Sequence, residues 1–186
     1  MSALPLFLGQ LIRRPHRVVA LAPSSEALAR EMAAALPEAR GGPVIELGAG
    51  TGKITQALLD AGVAEQDLHA FELNGDFVDC LRDGFPRIHV HHAPAQSMGQ
   101  LELNNVRAVV SGLPFLSFPK NLQLAILRAS FRAMAPDGVF IQFTYGPNPP
   151  VAERVRNALG LTWTKSDKVW GNLPPARVYA FRRNLL

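Results

Sequence analysis

The sequence predicts an α/β domain with a mainly parallel sheet covered by helices on both faces. Short β-type runs alternate with helical stretches from residue 44 to about residue 160, the order expected when a helix connects each parallel strand to the next. Two further β-type segments, 161–170 and 176–183, are separated only by a turn rich in glycine and proline, which predicts an antiparallel pair at one edge. At 186 residues the chain suffices for one such domain with a sizeable core.

Two helical segments are predicted before the first strand. In the first, apolar residues recur at the spacing of one helical face, and arginines follow at its end. The apolar residues are Leu4, Phe7, Leu8, Leu11 and Ile12, and the arginines are Arg13, Arg14 and Arg17. Such a helix either lies in a membrane surface or packs on its own domain, and the pattern alone leaves both open. We therefore divide the chain into an amphipathic segment, 1–22, and a domain, 23–186.

The remaining elements follow from local patterns in chain order. The second helix is predicted after Ser24 and Ser25, which can cap its first turn, and runs to about Leu36, before a proline. The strands are short apolar or β-branched runs that end at glycine, proline or polar residues, and they are predicted at 44–48, 68–72, 87–92, 106–111 and 138–145. The later helices place apolar residues at helical spacing and are predicted at 53–61, 75–84, 120–135 and about 150–159.

Composition limits the partners and the compartment. The net charge is +4 and the pI is about 9.7, which favours an anionic partner without choosing between nucleic acid and anionic lipid. The single cysteine, Cys80, excludes an internal disulfide, and its helical pattern predicts a buried structural thiol. No run approaches the roughly 20 apolar residues that cross a bilayer, and the N-terminus lacks the order of a signal peptide. We expect a cytoplasmic protein.

A glycine-rich turn after the first strand is the main functional signal. The run from Val44 reads V-I-E-L-G-A-G-T-G-K, and a strand that enters such a turn at the head of a helix lets the backbone approach a ligand. Counted from Gly48, the third glycine comes at Gly52, one place earlier than in the dinucleotide pattern G-x-G-x-x-G. A glycine turn that serves only strand-to-helix packing is the alternative.

Two acids indicate the charge of that ligand. Glu46 precedes the glycines and would repel the two phosphates of a dinucleotide, whereas it suits a cation. Glu72 ends the next strand, where a carboxylate can accept hydrogen bonds from both hydroxyls of a ribose. An adenosyl ligand with a positively charged end satisfies both acids, and S-adenosylmethionine carries a sulfonium and an ammonium beside its ribose.

Residues 46–52 resemble the first motif of the class I methyltransferases, E/D-x-G-x-G-x-G, and the resemblance extends over about residues 24–186. It implies a Rossmann-like fold with a mostly parallel seven-stranded sheet, an antiparallel C-terminal edge and helices on both faces, to which the N-terminal amphipathic helix is added. It also implies S-adenosyl-L-methionine as cofactor and S-adenosyl-L-homocysteine as product. The implied cofactor contacts are Glu46, Gly48, Ala49, Gly50, Thr51, Gly52, Glu72, Leu73, Pro94, Ala95 and Ser111.

One position departs from that family. After the third strand the family often has Gly-Asp-Ala, whose aspartate contacts the adenine amino group, and here the stretch is Ala93-Pro94-Ala95. The adenine would then be held by backbone groups, by Gln96 or by Ser97.

The turn after the fourth strand indicates the methyl acceptor. It reads S-G-L-P-F over residues 111–115 and enters the crevice at the carboxyl end of the strand. Adenine N6-methyltransferases carry Asn-Leu-Pro-Tyr or Asp-Pro-Pro-Tyr there, because an exocyclic amine conjugated to a ring needs carbonyl acceptors to localise its lone pair. Gly112 lacks that carbonyl and Phe115 lacks the tyrosine hydroxyl. An aliphatic amine needs no such acceptor once it has lost its proton.

Three longer stretches, 111–119, 141–147 and 169–179, resemble the bacterial phospholipid N-methyltransferases. The resemblance implies an enzyme that methylates phosphatidylethanolamine stepwise, through mono- and dimethyl forms, to phosphatidylcholine at the inner face of the cell membrane. It also implies that the N-terminal segment touches lipid, and we expect anionic lipids there, a monomer and no nucleic-acid partner. The candidate substrate contacts are Arg13, Arg14, Arg17, Leu113, Pro114, Phe115, Tyr145 and Trp163.

The reaction requires a proton acceptor, since only the free base of an alkyl amine attacks. Tyr145 is the first candidate to orient the amine and relay its proton, and His92 and the lipid phosphate are further ones. Ser111 and Gly112 complete the candidate catalytic set by lining the acceptor turn. A structural tyrosine that caps the sheet is the competing interpretation of Tyr145.

The sequence also bears on a metal site and on two other functions. No metal is expected, because His89 and His91 share one face of a strand while His92 points the other way, without a cysteine or carboxylate beside them. The main alternative is an adenine N6-methyltransferase acting on ribosomal RNA or DNA, and Gly112 and Phe115 both argue against it. The second rival is a non-catalytic, lipid-associated protein that keeps the cofactor fold.

Overall fold

Seven strands form one mixed sheet in the computed structural model, which describes residues 25–38 and 41–184. The strands are β1 Val44–Leu47, β2 Leu68–Glu72, β3 His89–His92, β4 Val106–Ser111, β5 Met134–Thr144, β6 Leu161–Lys165 and β7 Arg177–Arg183. Their order is β3-β2-β1-β4-β5-β7-β6, and β7 runs antiparallel to both of its neighbours while the other pairs are parallel. The predicted parallel sheet with an antiparallel C-terminal edge is confirmed.

Helices cover both faces of this sheet. They are α1 Glu26–Ala34, α2 Lys53–Asp60, α3 Gly75–Gly84, α4 Lys120–Ala133 and α5 Glu153–Ala158, with short 3-10 turns at Glu65–Asp67, Ala95–Gln100 and Phe115–Ser117. Buried residues of α1 and α2 pack on one face, and those of α4 and α5 pack on the other. The central strand β1 is buried along its whole length, as expected for a strand covered on both sides.

Helix α1 begins as the sequence predicted. The Ser25 hydroxyl accepts a hydrogen bond from the Leu28 N–H at 3.2 Å, which caps the first turn. The Ser25 N–H in turn donates to the side-chain oxygen of Asn172 at 2.9 Å, so the start of α1 is tied to the connection between β6 and β7.

The amphipathic segment 1–22, with its three arginines, lies outside the described residues, and so does Ser24. Within the described ranges, no helix combines the length and the apolar character needed to cross a bilayer.

Three local predictions differ from the structure. Strand β6 ends at Lys165 rather than 170, and beyond it the chain turns away and makes only one isolated bridge, between Val169 and Ala176. Strand β5 begins at Met134 rather than 138, because α4 ends at Ala133 and the chain joins the sheet directly. Cys80 is exposed, since α3 buries the face that carries its neighbours at 78 and 81.

The topology brings the carboxyl ends of four strands together at one end of the sheet, which we call the carboxyl edge. The carboxyl ends of β1, β2, β4 and β5 all meet there, and β1 and β4 are neighbours although they are separated in sequence. This is the point of an open α/β sheet where the connections diverge to opposite sides and leave a crevice.

Candidate active site

The glycine turn between β1 and α2 has a conformation that glycine alone adopts readily. Gly48, Gly50 and Gly52 have φ values of 72°, 53° and 80°. A Cβ atom at Gly52 would lie 2.5 Å from the Phe85 ring, so packing also requires glycine there. A Cβ at Gly50 would meet no atom within 4 Å, so the middle of the turn faces open space. This space is where backbone groups can approach a ligand.

Glu72 holds the glycine turn through its carboxylate. One oxygen, Oε2, accepts a hydrogen bond from the Gly50 N–H at 2.8 Å. The other, Oε1, accepts from the N–H groups of Leu73 and Asn74, each at 2.8 Å. Because each carboxylate oxygen has two acceptor positions, Oε2 keeps one for a ligand hydroxyl. The link to Gly50 is a feature that the sequence analysis missed.

Glu46 is fully buried, and only one of its two carboxylate oxygens has a hydrogen-bond partner among the described residues. Its Oε2 accepts a hydrogen bond from the Thr55 hydroxyl at 2.6 Å, whereas its Oε1 has no partner among the described residues. Burial raises the pKa of Glu46 from 4.5 to about 7, and the Thr55 bond only partly opposes this, while the charge of Glu72 adds to it. An unpaired carboxylate oxygen in such surroundings fits a cationic ligand, which would supply the missing partner.

The segment after β3 is the expected adenine side. Pro94 and Ala95 lead into a 3-10 turn, and the Ser97 hydroxyl donates to the Pro94 carbonyl at 2.7 Å. Since this bond occupies the hydroxyl proton, Ser97 can offer a ligand only its oxygen. Gln96 in this turn and Leu73, which directly follows β2, are both half-buried.

The structure does not bring His92 to the acceptor turn. Its ring nitrogen Nε2 lies 3.0 Å from the Leu73 carbonyl oxygen, at the end of β3. Strands β2 and β1 separate β3 from β4, so three strand spacings, roughly 14 Å, lie between them. His92 is therefore misplaced for proton transfer at Gly112 or Tyr145.

The acceptor turn after β4 lies directly against the glycine turn. The Gly112 N–H donates to the Leu47 carbonyl at 2.8 Å, and the buried Ser111 hydroxyl accepts from the Leu113 N–H at 3.3 Å. A Cβ at Gly112 would lie 2.9 Å from the carbonyl oxygen of Gly48. No side chain fits at residue 112 unless one of the two turns moves.

Gln142 supports this turn from the neighbouring strand. Its amide nitrogen donates to the Leu113 carbonyl at 2.8 Å and to the Phe143 carbonyl at 3.1 Å, and its Oε1 has no partner among the described residues. The sequence analysis did not single out Gln142. The available signal was a polar residue inside the apolar run of β5.

Phe115 does not line the crevice. Its side chain is 1% exposed and packs against the rings of Phe118 and Phe140, at centroid distances of 5.7 and 5.5 Å. The 3-10 turn that begins at Phe115 directs this ring into the core and leaves the next residue, Leu116, exposed. Pro114 and Leu113 are half-buried and stay beside the turn.

Tyr145 follows the last residue of β5 at the same edge. Its ring packs edge-on against Phe143 at 5.4 Å, and its buried hydroxyl makes no hydrogen bond of acceptable geometry with the described residues. Burial raises the pKa of Tyr145, and the nearby side chain of Asn172 opposes this in part. The phenol therefore keeps its proton at neutral pH, and its buried oxygen lacks a partner of acceptable geometry among the described residues.

Trp163 lies away from this edge. It sits in the middle of the outermost strand β6, opposite Phe181, and its ring packs on Tyr179 at 5.4 Å with the Arg156 guanidinium 6.0 Å away. Strand β7 separates β6 from β5. The prediction that Trp163 contacts the substrate is not consistent with this placement.

The histidines of β2 and β3 form a stack near the outer strand β3, and β6 is the outer strand at the other end of the strand order. The rings of His69 and His89 are 4.4 Å apart, and a His69 nitrogen lies 3.1 Å from a His91 nitrogen. Burial, followed by the two neighbouring rings, lowers the pKa of His69 to about 4. Among the residues described, no group of three potential ligands has an arrangement that could hold a metal ion.

Comparison with known proteins adds a family to this geometry. A family model described as a methyltransferase domain matches residues 44–138, which include the glycine turn, Glu72 and the acceptor turn. An ornithine lipid N-methyltransferase of Singulisphaera acidiphila is 34% identical over 149 residues, which cover 76% of this chain and 78% of that protein.

Solved structures show the same fold at low identity. A Burkholderia thailandensis 1,6-didemethyltoxoflavin-N1-methyltransferase with bound S-adenosylhomocysteine has a TM-score of 0.69 and 17% identity, over 97% of this chain and 89% of that one. A TehB-like methyltransferase of Corynebacterium glutamicum has a TM-score of 0.66 and 17% identity, over 97% and 100%. The glycopeptide N-methyltransferase MtfA, complexed with S-adenosylmethionine, has a TM-score of 0.64 and 16% identity, over 88% and 96%.

Proposed function

The chain belongs to the class I S-adenosylmethionine-dependent methyltransferases, and from this premise we propose that it methylates the primary amine of a lipid headgroup. Phosphatidylethanolamine is the proposed substrate, converted stepwise through its mono- and dimethyl forms to phosphatidylcholine. An ornithine lipid is the second candidate, which the relative from Singulisphaera acidiphila favours.

The described residues fit the cofactor. We assign one ribose hydroxyl to the free acceptor position of Glu72, and the cationic end to the unpaired oxygen of Glu46. The open face of the turn at Gly50 admits the body of the cofactor. When bound, the cofactor supplies an electrophilic methyl group on sulfur. The further proposed contacts are Gly48, Ala49, Thr51, Gly52, Leu73, Pro94, Ala95 and Ser111.

The proposed acceptor class rests chiefly on the contact between Gly112 and Gly48. Because a Cβ at residue 112 would lie 2.9 Å from the Gly48 carbonyl oxygen, the turn in this conformation has no room for the asparagine or aspartate that a ring-conjugated amine requires. The Leu113 carbonyl is also engaged, since it accepts from Gln142. An alkyl amine, whose lone pair is localised once the proton is lost, needs neither acceptor.

Ornithine and ethanolamine both present a primary alkyl amine, so the relative supports the same acceptor chemistry. Such an amine has a pKa of about 10.4 in water and is mainly protonated at neutral pH. We assign Tyr145 to orient it, with the phenol oxygen accepting one N–H hydrogen bond. Since the raised pKa of Tyr145 keeps the phenol neutral, the substrate proton passes through it, to water or to the lipid phosphate, rather than to a tyrosinate.

The proposed location is the inner membrane surface, where the protein would be peripherally bound. Residues 1–22 would place an apolar helical face in the lipid and Arg13, Arg14 and Arg17 beside anionic headgroups. We also propose that the protein is a monomer and has no nucleic-acid partner. Adenine N6 methylation of ribosomal RNA or DNA is the alternative function.

A transfer assay tests the acceptor. The protein is incubated with cofactor labelled in its methyl group and with vesicles of phosphatidylethanolamine, of ornithine lipid or of phosphatidylcholine. The nitrogen of phosphatidylcholine is already quaternary, so these vesicles are the matched control. We expect label in phosphatidylethanolamine and none in the control. Label in ornithine lipid alone would make ornithine lipid the substrate in place of phosphatidylethanolamine, within the same class of lipid amines. Label in neither lipid would refute the function.

A further inference from the structure

Three large apolar side chains stand exposed at the carboxyl edge of the sheet. Leu116, in the turn after β4, is 60% exposed, and Trp170 and Leu173, between β6 and β7, are 74% and 85% exposed. The strand register puts them at one edge, because Thr144 at the end of β5 pairs with Arg177 at the start of β7. We call residues 166–176 the hairpin loop.

The hairpin loop is held firmly by its own backbone and by α1. Val169 and Ala176 exchange hydrogen bonds at 2.8 and 3.4 Å. The Asn172 side chain accepts from the Ser25 N–H and donates to the Pro174 carbonyl at 2.8 Å. A Cβ at Gly171 would lie 3.0 Å from that of Ala27, so the loop rests closely on the helix. Trp170 and Leu173 are therefore presented to solvent by an anchored loop.

Charge around the loop matches an anionic lipid surface. The Lys168 ammonium lies 5.0 Å from the centre of the Trp170 ring, and Lys165 and Arg177 flank the loop at its two ends. Asp167 is the single acid within 165–177. A tryptophan beside a lysine is the pair that suits the headgroup region, where the ring is partly buried and the ammonium stays in water.

Leu116 joins this surface to the proposed acceptor site. A Cβ at Gly146 would lie 3.5 Å from the Leu116 Cδ1, so the leucine side chain covers the backbone next to Tyr145. A lipid that contacts Leu116 and the hairpin loop therefore has its headgroup at the same edge as Gly112 and Tyr145.

We propose that the hairpin loop is a phospholipid-docking element that inserts Trp170 and Leu173 into the bilayer interface and turns the carboxyl edge toward the headgroups. The inference rests on the proposed function and adds a second lipid contact to residues 1–22. It also gives a reason for the exposed side chains, since insertion removes apolar area from water without unfolding the loop.

Tryptophan fluorescence tests the insertion without any turnover. The chain has two tryptophans, so Trp163→Phe leaves Trp170 as the single reporter and Trp170→Phe leaves Trp163. Both variants are mixed with vesicles of phosphatidylethanolamine and phosphatidylglycerol, some with brominated acyl chains. We expect Trp170 emission to shift to shorter wavelength and to be quenched by bromine, and Trp163 emission to change little. Sedimentation with the vesicles verifies binding.

Several results would overturn the proposal. They are vesicle binding with unchanged Trp170 emission, equal quenching of both tryptophans, and no vesicle binding at all. Trp170 emission that is already at short wavelength without vesicles would also overturn it, because the loop would then be covered by the protein itself, with residues 1–24 the first segment to examine.

A double variant connects docking to turnover. Trp170→Ser with Leu173→Ser should raise the apparent KM for vesicle lipid roughly tenfold, because two interfacial side chains are lost. The same variant should keep the wild-type kcat/KM for monomeric short-chain phosphatidylethanolamine. An equal loss on both substrates would contradict docking. If wild type methylates neither lipid, the proposed function fails, whereas bromine quenching of Trp170 would still decide where the loop lies.

Discussion

The Glu72 carboxylate accepts a hydrogen bond from the backbone N–H of Gly50 at 2.8 Å. This bond joins the end of β2 to the middle glycine of the turn after β1, two segments that lie 22 residues apart. The acid that we assign to the ribose therefore also holds the glycine turn that we assign to the cofactor. Binding and loop order should respond together when Glu72 is changed.

Glu72→Gln should weaken cofactor binding and loosen the glycine turn. The amide retains one acceptor oxygen, so at least one backbone N–H loses its partner. Since hydrogen bonds to a charged group contribute about 1.5–3 kcal/mol, affinity should fall roughly tenfold to a hundredfold. Calorimetry measures the affinity, and hydrogen exchange at the Gly50 amide measures the loop. Glu65→Gln, which alters only an ion pair with Arg87, is the control. Wild-type affinity in Glu72→Gln would contradict the assignment.

Glu46→Gln should act on stability and on binding with opposite signs. Below pH 4.5 the carboxyl is protonated in both states, and between pH 4.5 and about 7 mainly the folded state holds the proton. Stability without ligand should therefore fall as pH rises through this window, and the buried charge remains costly above it. The variant should avoid this loss, up to roughly 3 kcal/mol, in a thermal melt at pH 8.

Cofactor binding to the same variant should be weaker. A cation binds the ionised carboxylate, so wild-type affinity should increase as pH rises through about 7, and Glu46→Gln should lack that component. Calorimetry at pH 6 and pH 8 gives the cofactor affinity of the variant and of wild type. The ratio of the two affinities at each pH is independent of the ligand's own ionisation. A variant that melts lower than wild type at pH 8 and binds cofactor equally well would refute the role of Glu46.

The glycine turn and the position of Glu72 beside it could be read from the sequence because they depend on neighbouring segments. A strand, three glycines and a helix follow one another without interruption, and parallel pairing alone brings Glu72 beside them. The direction of Phe115 was not readable. It depends on a 3-10 turn pinned by Gln123, whose amide donates to the Phe115 carbonyl at 2.8 Å, and on the core beneath it.

Trp163 and His92 illustrate a different limit. Each lies on a strand that the sequence identified, but its distance from the acceptor turn depends on the order of strands across the sheet. Strand order is set by long-range packing. Two residues with equally suitable side chains can therefore lie at very different distances from the acceptor turn. The exposure of Cys80 has the same origin, because which face of α3 is buried is decided by its neighbours.

Gly112→Ala should reduce turnover by displacing one of the two turns. The added Cβ would lie 2.9 Å from the Gly48 carbonyl oxygen, and overpacking of this kind costs about 1–3 kcal/mol. We expect kcat/KM for the lipid to fall at least tenfold. Gly84→Ala is the matched control, since its Cβ would meet no atom within 4 Å. If both variants behave alike, close contact at residue 112 does not matter.

Gln142→Leu should lower kcat and leave cofactor affinity near that of wild type. The variant removes the hydrogen bond to the Leu113 carbonyl, so the acceptor turn loses a support while Glu46 and Glu72 are untouched. Single-turnover kinetics with saturating cofactor measure the effect. The exposed Gln56, whose amide nitrogen donates to the Asp60 side chain, provides the control Gln56→Leu. A loss of cofactor affinity equal to the loss of kcat would assign Gln142 to the cofactor side.

Tyr145→Phe separates a functional from a structural tyrosine. The buried hydroxyl has no hydrogen-bond partner of acceptable geometry among the described residues, so its removal should not lower the unfolding free energy. Turnover should fall at least tenfold if the phenol orients the amine, with cofactor affinity unchanged. Near-normal turnover would leave Tyr145 as a residue that only packs on Phe143.

One competition experiment tests the central claim, that the acceptor is the alkyl amine of a lipid. The protein is incubated in one vessel with cofactor carrying a deuterated methyl group, vesicles of phosphatidylethanolamine and ribosomal RNA, and both lipids and nucleosides are analysed by mass spectrometry. We predict deuterated mono-, di- and trimethylated headgroups and no deuterium in adenosine. Deuterated N6-methyladenosine with unlabelled lipid would contradict the account.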